Sequence, residues 1–102
     1  MYKFCQDKFS MYLLPNKLKE LRLQSNLRQR QLAAVLEIDS GLYSKIERGE
    51  RPAKRKHVVA LASIFNANEK ELLTLWLADQ IKEITEQEKE IAEEAIEIIK
   101  MK

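Results

Sequence analysis

The chain has 102 residues, enough for one domain with a modest hydrophobic core and too few for two domains of ordinary size. It contains only two glycines and two prolines, and one third of its residues are charged, a composition that predicts an all-α fold. The net charge of +2 hides an asymmetry, because residues 1–68 carry 13 Lys and Arg against 6 Asp and Glu, whereas residues 69–102 carry 5 against 10. The basic part is expected to meet a polyanion, and the alternative is an ordinary solvated surface.

The composition also limits the cellular compartment and the kinds of function that the protein can have. Cys5 is the single cysteine and has no partner for an internal disulfide, and no apolar run approaches the roughly 18 to 20 residues that span a bilayer. We therefore expect a cytoplasmic protein outside the membrane. The chain has one histidine, His57, expected on a helix surface, and carboxylates mostly in its acidic end. The sequence predicts no enzyme, no cofactor and no metal site, because the convergent reactive groups that these require are missing.

Five helices are expected after an N-terminal arm of residues 1–14. They are predicted over about 16–24, 29–36, 40–48 and 54–65, with the fifth beginning after residue 68. Asp39 and Asn68 are the expected N-caps, and Asn66 is expected in the left-handed conformation that ends a helix. Apolar residues at helical spacing form the expected core: Leu14, Leu18, Leu21, Leu32, Ala33, Leu36, Tyr43, Ile46, Val58, Leu61, Ala62, Phe65, Leu72, Leu75 and Trp76.

The second and third helices are separated only by residues 37–39, a spacing typical of a helix-turn-helix unit. In such a unit the second helix enters the major groove of DNA, which is about 12 Å wide, and side chains near its N-terminus reach the base edges. The candidate base-reading residues are Ser40, Gly41, Leu42, Ser44 and Lys45.

A known pattern is met without a gap by the segment QLAAVLEIDSGLYSKIERGERP, which combines Gln-Leu-Ala, a turn with an aliphatic residue, and Ser-Lys-Ile-Glu-Arg-Gly. On these residues the chain resembles the XRE, or lambda-Cro repressor-like, helix-turn-helix family, over about residues 16–73. The resemblance implies a five-helix lambda repressor-like domain over residues 15–77 that binds double-stranded DNA as a transcriptional regulator, expected to be a repressor. It also implies that Gln29 contacts a phosphate and braces the recognition helix, and that Arg22 and Glu47 form a structural ion pair.

Three positions depart from the family pattern. Gly41 has no side chain at a usual base-contact position, so base reading is expected to fall on Ser40 and Lys45, with Leu42 meeting a thymine methyl. Arg28 stands where a Ser or Thr N-cap is usual, which weakens the cap but adds a cation for a phosphate. Glu37 stands where glycine is usual, and a left-handed conformation there would cost about 1 kcal/mol or more.

A second basic cluster follows the recognition helix and consists of Arg48, Arg51, Lys54, Arg55 and Lys56. The family resemblance implies that this segment lies along the sugar-phosphate backbone and that a basic residue in the place of Arg55 can enter the minor groove. The alternative is a solvated helix face. The full set of candidate DNA-binding residues is Arg28, Gln29, Ser40, Gly41, Leu42, Ser44, Lys45, Arg48, Arg51, Lys54 and Arg55.

Residues 78–102 are predicted to form an acidic helical tail that serves as a dimerisation element. Its apolar positions alternate by four and three, a heptad seam interrupted by Glu88. The helix either runs unbroken to Met101 or breaks near Thr85, where a capping box begins, with a second helix from about 86. The candidate dimerisation residues are Leu77, Ile81, Ile84, Ile91, Ala95 and Ile98.

Three roles for this tail are open from the sequence. A homodimer would let two recognition helices read an inverted-repeat operator. Alternatively, the tail folds back on its own domain, or the protein is an antitoxin-like or adapter protein whose tail binds a protein partner. Replacing Lys45 and Arg55 should impair a DNA reader, whereas replacing Ile91 and Ile98 should impair an adapter.

Overall fold

The computed structural model describes residues 12–101, and within them every regular element is a helix, which confirms the predicted all-α fold. The helices are α1 (Leu13–Gln24), α2 (Gln29–Leu36), α3 (Ser40–Glu47), α4 (Arg55–Phe65), α5 (Glu69–Gln87) and α6 (Lys89–Met101). In this described part no helix is long and apolar enough to cross a membrane. Residues 1–11 of the predicted arm, with Cys5, lie outside the described residues.

The core lies where α1 to α5 meet, and most of its members are those expected from helical spacing. Leu18, Leu32 and Leu61 are almost completely buried, as are Tyr43 and Leu72. Four expected members, Leu21, Phe65, Leu75 and Trp76, are only partly buried and pack against the others. Because a fully buried leucine contributes about 1.5 to 3 kcal/mol by leaving water, this cluster supplies the main force that holds the first five helices together.

Helix α1 begins at Leu13, three residues earlier than predicted. The reason is a contact with a distant part of the chain: the backbone N–H groups of Leu13 and Leu14 donate to the two carboxylate oxygens of Asp79, at 2.8 and 2.9 Å. These donors have no partner within α1, so a carboxylate on α5 takes the place of a local N-cap. Tyr12 also donates a hydrogen bond to Glu83, and this bond raises its pKa to about 12.

Helix α4 begins and ends close to the expected residues, and helix α5 begins where expected. Lys54 is the N-cap of α4, which therefore starts one residue later than predicted, and Asn66 has φ 53° and ψ 41°, the expected left-handed end. Asn68 caps α5 as predicted, its side chain accepting a hydrogen bond from the Glu71 N–H at 2.9 Å. The Trp76 indole N–H donates to the carbonyl of Ala53 at 2.7 Å, which fixes the loop between α3 and α4 onto α5.

The acidic end is divided between two helices. Helix α5 continues through residue 78, the predicted start of the tail, and ends at Gln87. Glu88, with φ −124° and ψ 51°, separates it from α6. Of the two alternatives, the unbroken helix to Met101 is wrong and the broken tail is the one observed. The break lies at Glu88, three residues after Thr85, whose hydroxyl donates to the carbonyl of Lys82 within α5. None of the 13 residues of α6 is buried.

Candidate nucleic-acid interface

Helices α2 and α3 are joined by a tight turn. Glu37 has φ 61° and ψ 42°, the left-handed conformation expected of a residue in the place of glycine, and it is one site of stored backbone strain. The N–H of Ile38 donates to the carbonyl of Ala33 at 3.0 Å, which closes the end of α2. Asp39 then starts α3 as its N-cap, accepting from the Gly41 N–H at 2.8 Å, as predicted. The turn thus sets α3 off from α2 as a separate helix.

Helix α3 has one exposed side and one buried side. Ser40, Gly41 and Lys45 are exposed, and Leu42 and Ser44 are partly buried. Tyr43, Ile46 and Glu47 are buried and fix the helix against the rest of the domain. The exposed positions recur at spacings of one and four, so they form a stripe along one face of the helix. The five predicted base-reading residues therefore include every residue of this stripe from 40 to 45.

A buried polar network braces the inner side of α3. Arg22 of α1 and Glu47 of α3 form a bidentate ion pair, with N–O distances of 2.8 and 2.9 Å, and the Arg22 guanidinium also donates to the carbonyl of Leu27 at 3.1 Å. The Gln29 side-chain amide donates to Glu47 at 3.0 Å. Three helices are therefore linked through one carboxylate, and the residues that carry the predicted ion pair and brace lie in direct contact.

The charge state of this network follows from its hydrogen bonds. Burial alone would raise the pKa of Glu47, but the bonds from Arg22 and Gln29 outweigh it and hold that pKa below its ordinary value. Burial raises the pKa of Tyr43, and the nearby Glu47 carboxylate adds to the rise. Glu47 is thus ionised and Tyr43 neutral near pH 7, so the brace keeps its charges over the physiological range.

A concave basic surface lies beside the N-terminus of α3. It is lined by Arg22, Arg28, Gln29, Arg30, Ser40, Gly41 and Ser44. The backbone N–H of Arg28 donates to the Gln31 side chain at 2.7 Å, so the start of α2 is capped from within the helix although the Arg28 side chain has no acceptor atom. Arg30 was not among the predicted site residues. Its exposure at the second position of α2, one residue after Gln29, is the signal that could have identified it.

The second basic cluster follows α3 and is exposed at every predicted position: Arg48, Arg51, Lys54, Arg55 and Lys56. Arg48 differs from the others because its guanidinium is held within the chain. It donates to both carboxylate oxygens of Glu50, at 2.9 and 3.2 Å, and to the Ser44 hydroxyl. The pairing raises the pKa of Arg48 and lowers that of Glu50. A phosphate would have to compete with Glu50 for Arg48, and no local sequence pattern indicates this pairing.

His57 was expected at the surface, and this expectation was wrong. The residue is only 8% exposed, in the first turn of α4. Its pKa is lowered by burial and further by the charges of Lys56 and Lys54. The imidazole is therefore neutral near pH 7 and belongs to the packing of α4. Within residues 12–101 no group of three or more His, Cys, Asp or Glu side chains is arranged to hold a metal ion.

The fold is defined by five packed helices in which a tight turn joins α2 to α3 and α3 exposes one face. This arrangement defines a helix-turn-helix domain. Comparison with known families gives the same result, because residues 15–75 match a family described as a helix-turn-helix domain. The match covers more than half of the chain, which therefore belongs to this helix-turn-helix family, a relative of the XRE type, and the predicted resemblance is confirmed. No curated protein and no solved structure matches the chain. Domains of this family bind DNA and are typically not enzymes.

Proposed function

We propose that the protein is a sequence-specific transcriptional regulator, acting as a repressor, whose helix α3 reads the major groove of double-stranded DNA. One observation carries the proposal: Ser40, Gly41 and Lys45 are exposed along one face of α3, while Tyr43 and Ile46 are buried on the other. A helix fixed on one side presents a constant set of groups on the other, which base recognition requires. The cytoplasm is the compartment in which we place this activity.

Each residue of the stripe has a role that its chemistry suits. The Lys45 ammonium donates hydrogen bonds and suits the O6 and N7 acceptors of guanine. The Ser40 hydroxyl both donates and accepts, so it fits several base edges. Leu42 is only partly buried, so part of its apolar side chain is exposed and can contact a thymine methyl. The Ser44 hydroxyl already accepts a hydrogen bond from Arg48, so Ser44 is less available for a base contact than the other candidates.

Basic and polar side chains that precede and follow α3 in the chain are the proposed phosphate contacts. Before α3 these are Arg28, Gln29 and Arg30, at the start of α2. After α3 they are Arg51, Lys54 and Arg55, with Arg48 available once it leaves Glu50. Contacts of this kind fix the register of a protein on DNA without reading sequence. Because each neutralised phosphate releases counterions, each should add about 0.9 to the slope of log affinity against log salt.

We further propose that the protein acts as a homodimer on an inverted repeat. The six candidate dimerisation residues are all exposed, with Ile84 at 62% and Ile98 at 61%. Large apolar side chains that recur along two helices without cover favour association with another helix. A dimer would present two α3 helices to half-sites about 34 to 36 Å apart, one turn of DNA.

A second candidate function, binding of a protein partner, is supported by the exposed face of α6. This helix exposes Ile91, Ile98 and Ile99 on an otherwise acidic segment and buries none of its residues. Such a face also suits a protein partner in an antitoxin-like or adapter protein that binds DNA weakly. The two candidates differ in what α6 contacts, so they can be separated in solution.

Selection from a random duplex library with the full-length protein, at two salt concentrations, tests the proposed function. We expect an enriched inverted repeat whose binding weakens steeply with salt. Salt-sensitive retention without a motif would leave only non-specific binding and favour the adapter function. No retention at either salt concentration would contradict the proposal altogether.

A further inference from the structure

Asp39 lies at the tip of α3, directly before the proposed base-reading stripe. It is exposed, and its backbone has φ −66° and ψ 141°, the extended conformation of an N-cap. One carboxylate oxygen, Oδ2, accepts a hydrogen bond from the Gly41 N–H at 2.8 Å. The other oxygen, Oδ1, has no hydrogen-bond partner among residues 12–101. The tip of the helix therefore presents a free acceptor oxygen next to Ser40 and Gly41.

The Asp39 carboxylate occupies the space that a side chain at position 41 would need. A Cβ atom built on Gly41 would lie 2.8 Å from Asp39 Oδ2, closer than real Cβ atoms approach another heavy atom. Any residue larger than glycine would displace this carboxylate from its present position. The Asp39 carboxylate can therefore hold its present position only because residue 41 is a glycine.

We infer that Asp39 takes over the base contact that Gly41 lacks, and that it selects a cytosine in each half-site. An ionised carboxylate only accepts hydrogen bonds, so it needs a donor on the base edge. In the major groove the donors are N4 of cytosine and N6 of adenine, and adenine places the acceptor N7 beside its donor. A carboxylate is therefore better matched to cytosine. The inference rests on the proposed function, since it assigns a base to the same surface.

The surrounding cations make a carboxylate acceptable so close to DNA phosphates. Arg28 and Arg30 line the same concave surface as Ser40 and Gly41, and Lys45 follows one turn along α3. The N-terminal end of a helix also favours a negative group through its unpaired N–H donors. The Asp39 carboxylate is thus one hydrogen-bond acceptor within a surface whose net charge stays positive.

The test compares base preferences selected by full-length wild type, Asp39→Ser and Asp39→Asn. Serine is also a good N-cap, so Asp39→Ser should keep α3 folded while removing the charged acceptor. We expect the wild-type motif to contain a C·G pair at one position of each half-site, preferred about tenfold over T·A, as for a typical single mismatch. Asp39→Ser should lose that preference and keep the others. Asp39→Asn, whose amide offers a donor, should move the preference towards a base with an acceptor.

Glu37→Asn is the matched control, because it removes a negative charge two residues away and asparagine tolerates the left-handed conformation of that position. It should strengthen binding to all sequences alike and leave the motif unchanged. A cytosine preference that survives in Asp39→Ser, or that disappears in Glu37→Asn, would overturn the inference while leaving the proposed function intact. A wild-type protein that selects no motif would overturn the proposed function itself.

Discussion

The body of the protein and its last helix use apolar side chains in opposite ways. From α1 to the first half of α5, leucines such as Leu18, Leu32 and Leu61 are completely enclosed and the surface is rich in cations. Helix α6 encloses nothing and exposes isoleucines between glutamates. The body is stabilised by its own contacts, whereas α6 has an apolar face whose burial requires a partner. This difference suggests that reading and pairing are separate tasks of one chain.

The largest expected effect is the loss of the buried ion pair in the body. Glu47→Ala should lower the free energy of unfolding by about 3 kcal/mol or more, because it leaves the Arg22 guanidinium largely buried without its carboxylate. Glu50→Ala is the matched control, since it removes a glutamate from an exposed pair with arginine. Urea denaturation at one protein concentration measures both. Equal midpoints for the two variants would show that the network does not brace α3.

The separation of tasks predicts that pairing can be removed without unfolding the body. The double variant Ile91→Glu/Ile98→Glu should weaken dimerisation at least about a hundredfold, since each carboxylate would lie unpaired in the interface at about 1 to 3 kcal/mol or more. Sedimentation equilibrium gives the change in mass. Leu23→Glu, at an equally exposed leucine of α1, is the control and should leave the mass unchanged. A wild type that is monomeric would favour a different protein as the partner of α6.

Two cations of the body are expected to contribute differently to DNA binding. Lys45→Ala should reduce discrimination at one base position by about 1 to 3 kcal/mol, whereas Arg55→Ala should weaken all sequences and lower the salt slope by about 1. Anisotropy titrations on the selected duplex and on point-substituted duplexes separate the two effects. Unchanged specificity ratios in Lys45→Ala would refute its reading role.

Glu50 is expected to limit DNA binding by holding Arg48. Glu50→Gln should free the guanidinium for a phosphate, strengthen binding most at low salt and add about 0.9 to the salt slope. The same anisotropy titrations measure it. An unchanged slope would mean that Arg48 does not reach the DNA backbone.

The smallest effect concerns pH. Since burial lowers the pKa of His57, the folded protein takes up a proton at lower pH than the unfolded chain, whose histidine has its ordinary pKa of 6.5. The stability from the neutral imidazole is complete above that value and is lost as the pH falls below it. Wild type should lose more stability between pH 7.5 and 5.5 than His57→Gln. Glu47 does not interfere, because its lowered pKa matters only below about its ordinary value of 4.5.

Local signals predicted the helix-turn-helix unit well. Apolar spacing set the buried faces of α2 and α3, and the caps Asp39 and Asn68 act within three residues of their own position. The ion pair of Arg22 and Glu47 came only from the family resemblance, because the two residues are 25 positions apart.

The features that could not be predicted from the sequence depend on contacts between distant residues or on the rotamer that a side chain adopts. The start of α1 is set by Asp79, 66 positions from Leu13, so no local signal marks it. His57 is buried although it directly follows three basic residues, Lys54, Arg55 and Lys56, which indicate a surface position. The break lies at Glu88, three residues beyond Thr85, because the Thr85 hydroxyl bonds within α5 instead of capping a new helix.

The most direct test of the account is to record backbone amide shifts of the labelled full-length protein by NMR as the selected duplex is added. We predict changes confined to residues 28–31, 39–48 and 51–56, with the amides of α6 unchanged at a protein concentration where the proposed dimer is already formed. Changes concentrated in α6, with Ser40, Gly41 and Lys45 unaffected, would contradict the assignment of DNA reading to α3.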